Sequence, residues 1–528
     1  MTNLGSFISG HAREYPDKIA LITSQRRFTF SEYDDRTNRL ANALHIIGVR
    51  KGDKVATMLE GGAEYAELFF SCAKMGAVLV PMVTRRLDDE IDALLRLSES
   101  SVLVVAADHS DRVAQMRARG LLHGVSSLIQ IREAVPGEST FLEEGALDYE
   151  QIIADAPAEQ PELSAGGADP VILLSTGGTT GLPKLAIHTH DSLLWNVFHM
   201  HWNVNFRHDD VCLTNLPQYH SGGMNAFTVV NGVLGLTSIV IHHFEPEEFL
   251  KTLEKERVTY LLLMPPVLYD WLVRAGADKY DLSALRVFFT AGGSFFNRDK
   301  VRADFPQSEI FYLYGQSETV AATTVSRGSA IFERGNSVGR VQPTLDWRLV
   351  DDVTGDDVVT GVPGELALRG PSLFSGYYNN PEETERAWQD GWFHTGDILR
   401  ADEDGFLYFE GRVKDIIKTG GESVYAERVE AVLATHPAVR EVAVVGKPDT
   451  KWGEQVCACI VLEEGSAVTA DELVESCRGK LAGFEIPRSY FVVDSLPTNP
   501  VGKILKAELR RAAEADEMLL LPGEMANT

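Results

Sequence analysis

The chain has 528 residues, 44% hydrophobic and 24% charged, which is too long for one hydrophobic core and implies at least two domains. Its 49 basic and 76 acidic residues leave a net charge of -27, a balance that repels nucleic acid and anionic membranes and makes any anionic substrate depend on a local exception. No apolar run approaches the roughly 20 residues of a membrane span, the N-terminus lacks a basic stretch followed by a long apolar one, and the cysteines Cys72, Cys212, Cys457, Cys459 and Cys477 are scattered without a paired framework. A cytoplasmic, reducing setting is expected, with no integral membrane contact and no nucleic-acid partner.

Residues 1 to about 165 alternate strand and helix patterns. Val55 to Leu59 reads as a strand, and Ala63 to Ala73 as a helix with Tyr65, Leu68, Phe69 and Cys72 on one side. Ala77 to Val80 is a strand closed by Pro81, and Leu103 to Val105 and Leu128 to Ile131 continue the series. This rhythm predicts an α/β fold with a parallel sheet covered on both faces. Ala154 to Pro170, rich in Ala, Pro, Glu and Gly, is a loop between subdomains. Val171 to Leu174 is then a buried strand that runs into Ser175, Thr176, Gly177, Gly178, Thr179, Thr180, Gly181, Leu182, Pro183 and Lys184. The glycines let a ligand approach the backbone, the hydroxyls donate, successive N–H groups make an anion nest, and the lysine adds a charge. The natural guest is a polyphosphate. The loop is not a Walker A motif, because Lys184 follows a proline and no Ser or Thr comes after it; its bland reading is a Gly-rich surface turn.

Eight of the 14 histidines lie between His188 and His243. No Cys or carboxylate completes a metal shell at usual spacings, and His188 and His190 read as structural. His220 stands apart, in LPQYHSGG, after a strand-like Val211 to Leu216. Further along come Val287 to Ser294 (VFFTAGGS) and Tyr312 to Thr319 (YLYGQSET), then a run of short strands and Gly/Pro turns from Asn336 to Glu410, as in a small β-barrel. Trp392 to Asp397 (WFHTGD), Gly411 to Asp415 (GRVKD), Thr419 to Tyr425 (TGGESVY), a helix from Glu427 to Ala434, and Leu496 to Lys503 (LPTNPVGK) complete the series. Cys457 and Cys459 lie in an apolar run and alternate across a strand.

STGGTTGLPK resembles the phosphate loop of the adenylate-forming superfamily: acyl-CoA synthetases, free-standing adenylation domains and luciferases. The usual form is T-S-G-T-T-G-x-P-K-G, and this chain departs from it at Gly177 and Leu185. The other segments resemble the family's motifs in the family's order. The resemblance implies that Thr176, Gly177, Gly178, Thr179, Thr180, Gly181 and Lys184 hold the phosphates of ATP, and that Gly292, Gly293 and Ser294 lie against adenine or acyl group. It further implies that Tyr312, Tyr314, Gly315, Gln316 and Ser317 surround the nucleotide, with Tyr314 stacked on adenine and Glu318, with Thr176, holding Mg²⁺. Asp397 then takes the ribose hydroxyls, Arg412 ribose or phosphate, and His220 flanks the acyl carboxylate. Lys503 serves adenylation from a mobile loop, Lys414 is the hinge, and Gly420, Gly421 and Glu422 serve the thiol step. His220, Ser221, Gly222, Met224 and Gly292 line the substrate pocket.

The domain layout so implied is an N-terminal adenylation domain over 1–412, with subdomains of about 1–165, 166–335 and 336–412, and a mobile α+β domain over 413–528. The activity implied is an ATP-dependent acid–thiol ligase, using ATP, Mg²⁺ and coenzyme A, or the phosphopantetheine of an acyl carrier protein. It works as monomer or homodimer. Amino-acid activators carry Asp, and dihydroxybenzoate activators Asn, where this chain has Ser221. A fatty or aromatic acid is therefore expected. A luciferase-like enzyme and a silent adenylate binder are the non-ligase alternatives, and intact Lys503, Glu318 and Asp397 argue against the silent binder.

Overall fold

The computed structural model describes residues 2–132, 142–176, 183–241, 244–263, 272–291, 298–335, 337–420, 422–498, 504–515 and 518–521. The chain divides into two compact units, one of Met1–Asp346 with Arg369–Gln389, the other of Trp347–Leu368 with Asp390–Thr528. The fold is mixed α/β, with a large N-terminal and a smaller C-terminal part.

In the first unit the expected βαβ rhythm produces a seven-stranded sheet in the order Leu147–Asp148, Ser127–Ile131, Ser100–Ala106, Lys54–Met58, Val78–Pro81, Pro170–Ser175, Leu185–Thr189. All neighbours run parallel except the last pair, where Leu185–Thr189 returns antiparallel beside Pro170–Ser175. Side chains alternate between two apolar layers, as pleating requires. Val55 and Leu79 join one layer with Phe69 and Leu68. Ala56, Met58, Val78 and Val80 join the other with Ile91, Leu94 and Leu95. The helix Ala63–Met75 departs from the one-sided reading. Nearly all its residues are buried, because the helix Phe30–Ile46 covers its outer face, and it ends at Gly76 with φ 81. Helix Phe30–Ile46 is itself started by Thr29, whose hydroxyl accepts from Glu32 N at 3.2 Å while the Glu32 carboxylate accepts from Thr29 N at 2.8 Å.

A second sheet of the same unit runs Ser337–Val341, Thr324–Arg327, Glu309–Tyr314, Val287–Ala291, Tyr260–Leu262, Val211–Thr214, Thr237–Val240, Ile19–Ile22, Arg27–Thr29. Its inner strands, from Glu309–Tyr314 to Ile19–Ile22, are all parallel. Leu213, Leu261, Phe288 and Ile310 face Phe249, Leu250 and Leu253, while Tyr260, Phe289 and Phe311 face the first layer.

In the second unit, Gly364–Arg369, Trp392–Ala401 and Leu407–Arg412 form antiparallel neighbours, as the short-strand pattern predicts. A further sheet is built on the long antiparallel pair Val439–Asp449 and Gly453–Leu462. Val456, Ala458 and Ile460 pack on one face with Val429 and Leu433 of the helix Ala426–Leu433. Cys457 and Cys459 pack on the other with Leu509 and Ala513. The two cysteines thus share one face of a strand whose intervening residues face the other way, as the spacing predicts. No helix among the described residues is long and apolar enough to cross a membrane.

Candidate active site

In open parallel sheets, ligands bind beyond the carboxyl ends of the strands. The sequence-predicted residues of the first unit stand at such ends. Thr176 follows Pro170–Ser175, His220 lies beyond Val211–Thr214, and Gly315 to Glu318 follow Glu309–Tyr314. Gly292, Gly293 and Ser294, which follow Val287–Ala291, lie outside the described residues, as do Gly177, Gly178, Thr179, Thr180 and Gly181.

The neck of the predicted phosphate loop is tied. Thr176 N donates to Lys184 O at 2.9 Å, one step past the Ser175–Leu185 pairing. Beside it runs Phe374 to Tyr378, an extended segment that the sequence reading missed. Ile187 N donates to Gly376 O at 3.0 Å, and Tyr378 N to Leu185 O at 2.8 Å. This places Tyr377 between two predicted site residues. Its hydroxyl donates to Glu318 Oε1 at 2.9 Å, and Lys184 Nζ stands 4.7 Å from its ring centroid. The Lys184 ammonium is ion-paired with Glu383, whose carboxyl is held low by that hydrogen bond. Burial, then the Glu318 charge, raises the Tyr377 hydroxyl pKa, so the hydroxyl stays a donor. Asn380 caps the helix Pro381–Ala387 and Pro381 opens it. That Asn-Pro-Glu-Glu start was a readable helix signal, and it could have pointed to Glu383.

The Tyr314 to Thr319 turn is tightly built. A Cβ on Gly315 would lie 2.6 Å from Ala321 O, so only glycine fits where the chain folds back. Val320 has φ 65 and is fully buried. For a β-branched residue this costs on the order of 1–3 kcal/mol, and such strain collects at functional sites. His188 secures the turn from the neighbouring sheet, its Nε2 lying 2.6 Å from Ser317 O. Tyr312 packs against the second apolar layer, while Tyr314 at the strand end is half-exposed.

His220 is half-buried, with its ring 4.6 Å from that of Tyr219, and its Nε2 is buried without a hydrogen-bond partner among the described residues. Burial, then the Arg86 charge, lowers its pKa to about 4, with Arg85 acting the same way and Glu60 opposing. The imidazole is therefore neutral at pH 7. Ser221 and Gly222 beside it are half-buried and uncharged, and Met224 is fully buried in the first apolar layer.

Burial also lowers His188, His190 and His199 to about 4. Below the usual pKa of 6.5 the unfolded chain takes up protons at these imidazoles and the folded chain does not. The stability they contribute is complete above pH 6.5 and is lost as pH falls toward 4. Each loses about 2 kcal/mol between pH 6.5 and pH 5, taking 1.36 kcal/mol per unit. Thermal melts should show a marked fall in Tm from pH 7.5 to pH 5, and a smaller fall in His199→Gln. Identical pH profiles in the two proteins would refute the assignment.

In the second unit, Asp397 is buried and the Arg412 guanidinium lies 3.1 Å from its Oδ1. The turn before it is held by Glu365, whose carboxylate accepts from Gly396 N at 2.8 Å and lies 2.9 Å from His394 Nδ1. Burial, then the Arg412 charge, lowers the Lys414 pKa. Gly420 follows Ile416–Thr419, which pairs antiparallel with Glu422–Tyr425. Gly420 has φ 60 and donates to Trp452 O at 2.8 Å; Gly421 and Lys503 lie outside the described residues.

The family model described as AMP-binding enzyme matches residues 8–378, and that described as AMP-binding enzyme C-terminal domain matches 428–503. A feruloyl-CoA synthase of Amycolatopsis sp is 34% identical over 509 residues, covering 96% of this chain and 98% of that protein. A long-chain-fatty-acid–CoA ligase of Mycobacterium tuberculosis is 30% identical over 520 residues, covering 98% and 99%. The ATP-bound structure of MatB from Rhodopseudomonas palustris superimposes with a TM-score of 0.83 at 27% identity, covering 97% of this chain and 99% of that one.

Proposed function

The chain belongs to the AMP-binding enzyme family and is an AMP-forming carboxylate–CoA ligase, and within that class we propose that its acid is an uncharged hydrophobic or aromatic monocarboxylate. Coenzyme A, rather than a carrier protein, is the acceptor. The observation that carries the substrate class is the strip Ser221-Gly222-Gly223 beside a neutral His220 whose surroundings include Arg86 and Arg85. A substrate ammonium would be desolvated there without an anion on the strip, whereas a carboxylate meets two arginines against the single Glu60 carboxylate.

In the first step the acid's carboxylate oxygen bonds to the α-phosphorus of ATP and the bond to pyrophosphate breaks. Both reactants are anions, so the protein's work is alignment and charge neutralisation. Lys184, at the tied neck of its loop, would share its charge between Glu383 and the phosphates. Asp397 would accept from the ribose hydroxyls, and His220, unprotonated, would flank the carboxylate. Glu318 and the Thr176 hydroxyl would hold Mg²⁺. The residues fit such an ion, since the Glu318 carboxylate is held on its turn by the Tyr377 hydroxyl at 2.9 Å and Mg²⁺ at a triphosphate needs only one or two protein oxygens. When bound, it neutralises phosphate charge. The small domain would then rotate about Lys414, replacing Lys503 with Gly420 and Gly421. The coenzyme A thiol attacks the acyl carbonyl, forming the thioester and releasing AMP.

The test is a panel of fatty, aryl and α-amino acids assayed for AMP release with MgATP and coenzyme A. Fatty or aryl acids should lead by at least about tenfold in kcat/KM; leadership by α-amino acids would overturn the proposal.

A further inference from the structure

The helix His190–Val204 has two unlike faces. Leu193, Val197, Met200 and Val204 turn inward into the first apolar layer, and Asn203 Nδ2 fixes the roll of the helix by donating to Gln342 Oε1 at 2.8 Å. The outward face carries Trp195, Phe198 and Trp202, which are 37%, 42% and 62% exposed. Their rings touch in succession, with centroids 5.6 Å apart for Trp195 and Phe198 and 6.0 Å apart for Phe198 and Trp202. Single exposed apolar side chains are ordinary, whereas a contiguous aromatic stripe marks a contact surface.

The order of residues along the stripe says what covers it. Asp191, Leu194, Trp195, Phe198, His201, Trp202 and Asn205 follow one helix face, and the stripe reads alike from either end about Phe198. Its two ends carry opposite charge. Asp191 is exposed at the start, and Arg327, also exposed, donates to Asn203 O at 2.6 Å at the finish. Two such helices laid antiparallel across a two-fold axis at Phe198 would set Phe198 against Phe198. Leu194 and Trp195 would meet Trp202 and His201 of the second copy, and Asp191 would reach the end that holds Asn205 and Arg327. Every contact then occurs twice, which is the self-complementarity a two-fold interface demands. The opposed helix dipoles agree with it.

We infer that this face docks a second copy of the chain, so that the enzyme is a two-fold dimer joined through the helix His190–Val204. Aromatic anchors inside a polar rim are the usual anatomy of such a contact. The net charge of -27 disfavours an anionic membrane as occupant. It opposes the second copy less, because Asp191 is the one acid in the helix and charges beyond about 10 Å are screened at 0.1 M salt.

Sedimentation equilibrium of the full chain should give a mass about twice the 58.1 kDa of one copy. Trp202→Ser should raise the dissociation constant by about tenfold or more, as removal of an interface tryptophan does. Asp191→Arg and Arg327→Asp should each weaken the dimer, and the two together should restore it, since each copy then presents the reversed pair. Phe198→Cys puts a thiol at the axis, while the native cysteines are all buried. Mild oxidation should therefore join two copies of that variant and leave the wild type unjoined. Melting curves confirm that each variant folds, and should a charge variant fail to fold, the cross-link decides. A monomeric wild type overturns the inference. So does a dimer that ignores Trp202→Ser and the charge exchange while Phe198→Cys stays unjoined, for its interface then lies elsewhere. A monomer retained by phosphatidylcholine vesicles also overturns it and assigns the stripe to a lipid surface.

Discussion

Replacing Glu318 with alanine is expected to lower ATP–pyrophosphate exchange by about 100-fold or more, the scale seen when one preorganised electrostatic group is removed. The carboxylate is not a free surface acid. It sits on the turn after Glu309–Tyr314, where Gly315 allows the chain to fold back against Ala321 and Val320 is held at φ 65. Tyr377 donates to Oε1 at 2.9 Å from a segment that also backs Lys184. A strained turn with a tyrosine fixing one carboxylate oxygen holds the Glu318 side chain in one orientation. Tyr377→Phe keeps the charge and loses the orientation, so it should cost about tenfold and raise the Mg²⁺ concentration needed for half-maximal exchange. Calorimetric titration of the holo-competent protein with MgATP should show weaker binding in Glu318→Ala than in Tyr377→Phe. Wild-type exchange at low Mg²⁺ in Glu318→Ala would remove Glu318 from the metal role.

Local pattern made much of this architecture readable. Apolar alternation marked Val55 to Leu59, Ala77 to Val80 and Val211 to Leu216 to within a few residues, because parallel strands buried on both faces are dense in branched side chains. The placement of Cys457 and Cys459 on one face followed from the period of two alone. The helix Ala63–Met75 was misread as one-sided, since nothing in its own residues reveals that the helix Phe30–Ile46 lies over it. Tyr377 was missed for a related reason. Its partner Glu318 is 59 positions away, and an aromatic residue in a Gly-rich stretch reads as packing until the fold brings it beside a carboxylate. His188 was read as structural, and the fold gives that role content: it ties Leu185–Thr189 to Ser317 at the site's edge.

The second large effect separates the two half-reactions. Lys503→Ala should lose adenylation by about 100-fold or more yet convert supplied acyl-adenylate to thioester near the wild-type rate. Thr498 and Ile504 pair as an antiparallel bridge, and Leu505 N donates to Pro497 O at 2.8 Å, so the described residues on either side of 499–503 are tied together. The helix Lys506–Glu514 that follows is anchored in turn, with Lys506 Nζ 3.1 Å from Glu427 and 2.9 Å from Glu430. The role proposed for Lys503 is to contact the carboxylate and α-phosphate oxygens while charge builds between them. Gly420 and Gly421 belong to the same unit, and if that unit rotates between steps these glycines and the lysine take the site alternately. Gly421→Leu should therefore form adenylate and stall before thioester, because a branched side chain in place of a glycine obstructs the pantetheine arm. Both steps are measured in both variants, with synthetic adenylate supplied for the second and circular dichroism melts to exclude misfolding. Equal depression of the two steps in a folded Lys503→Ala would show that one arrangement of the protein performs both reactions.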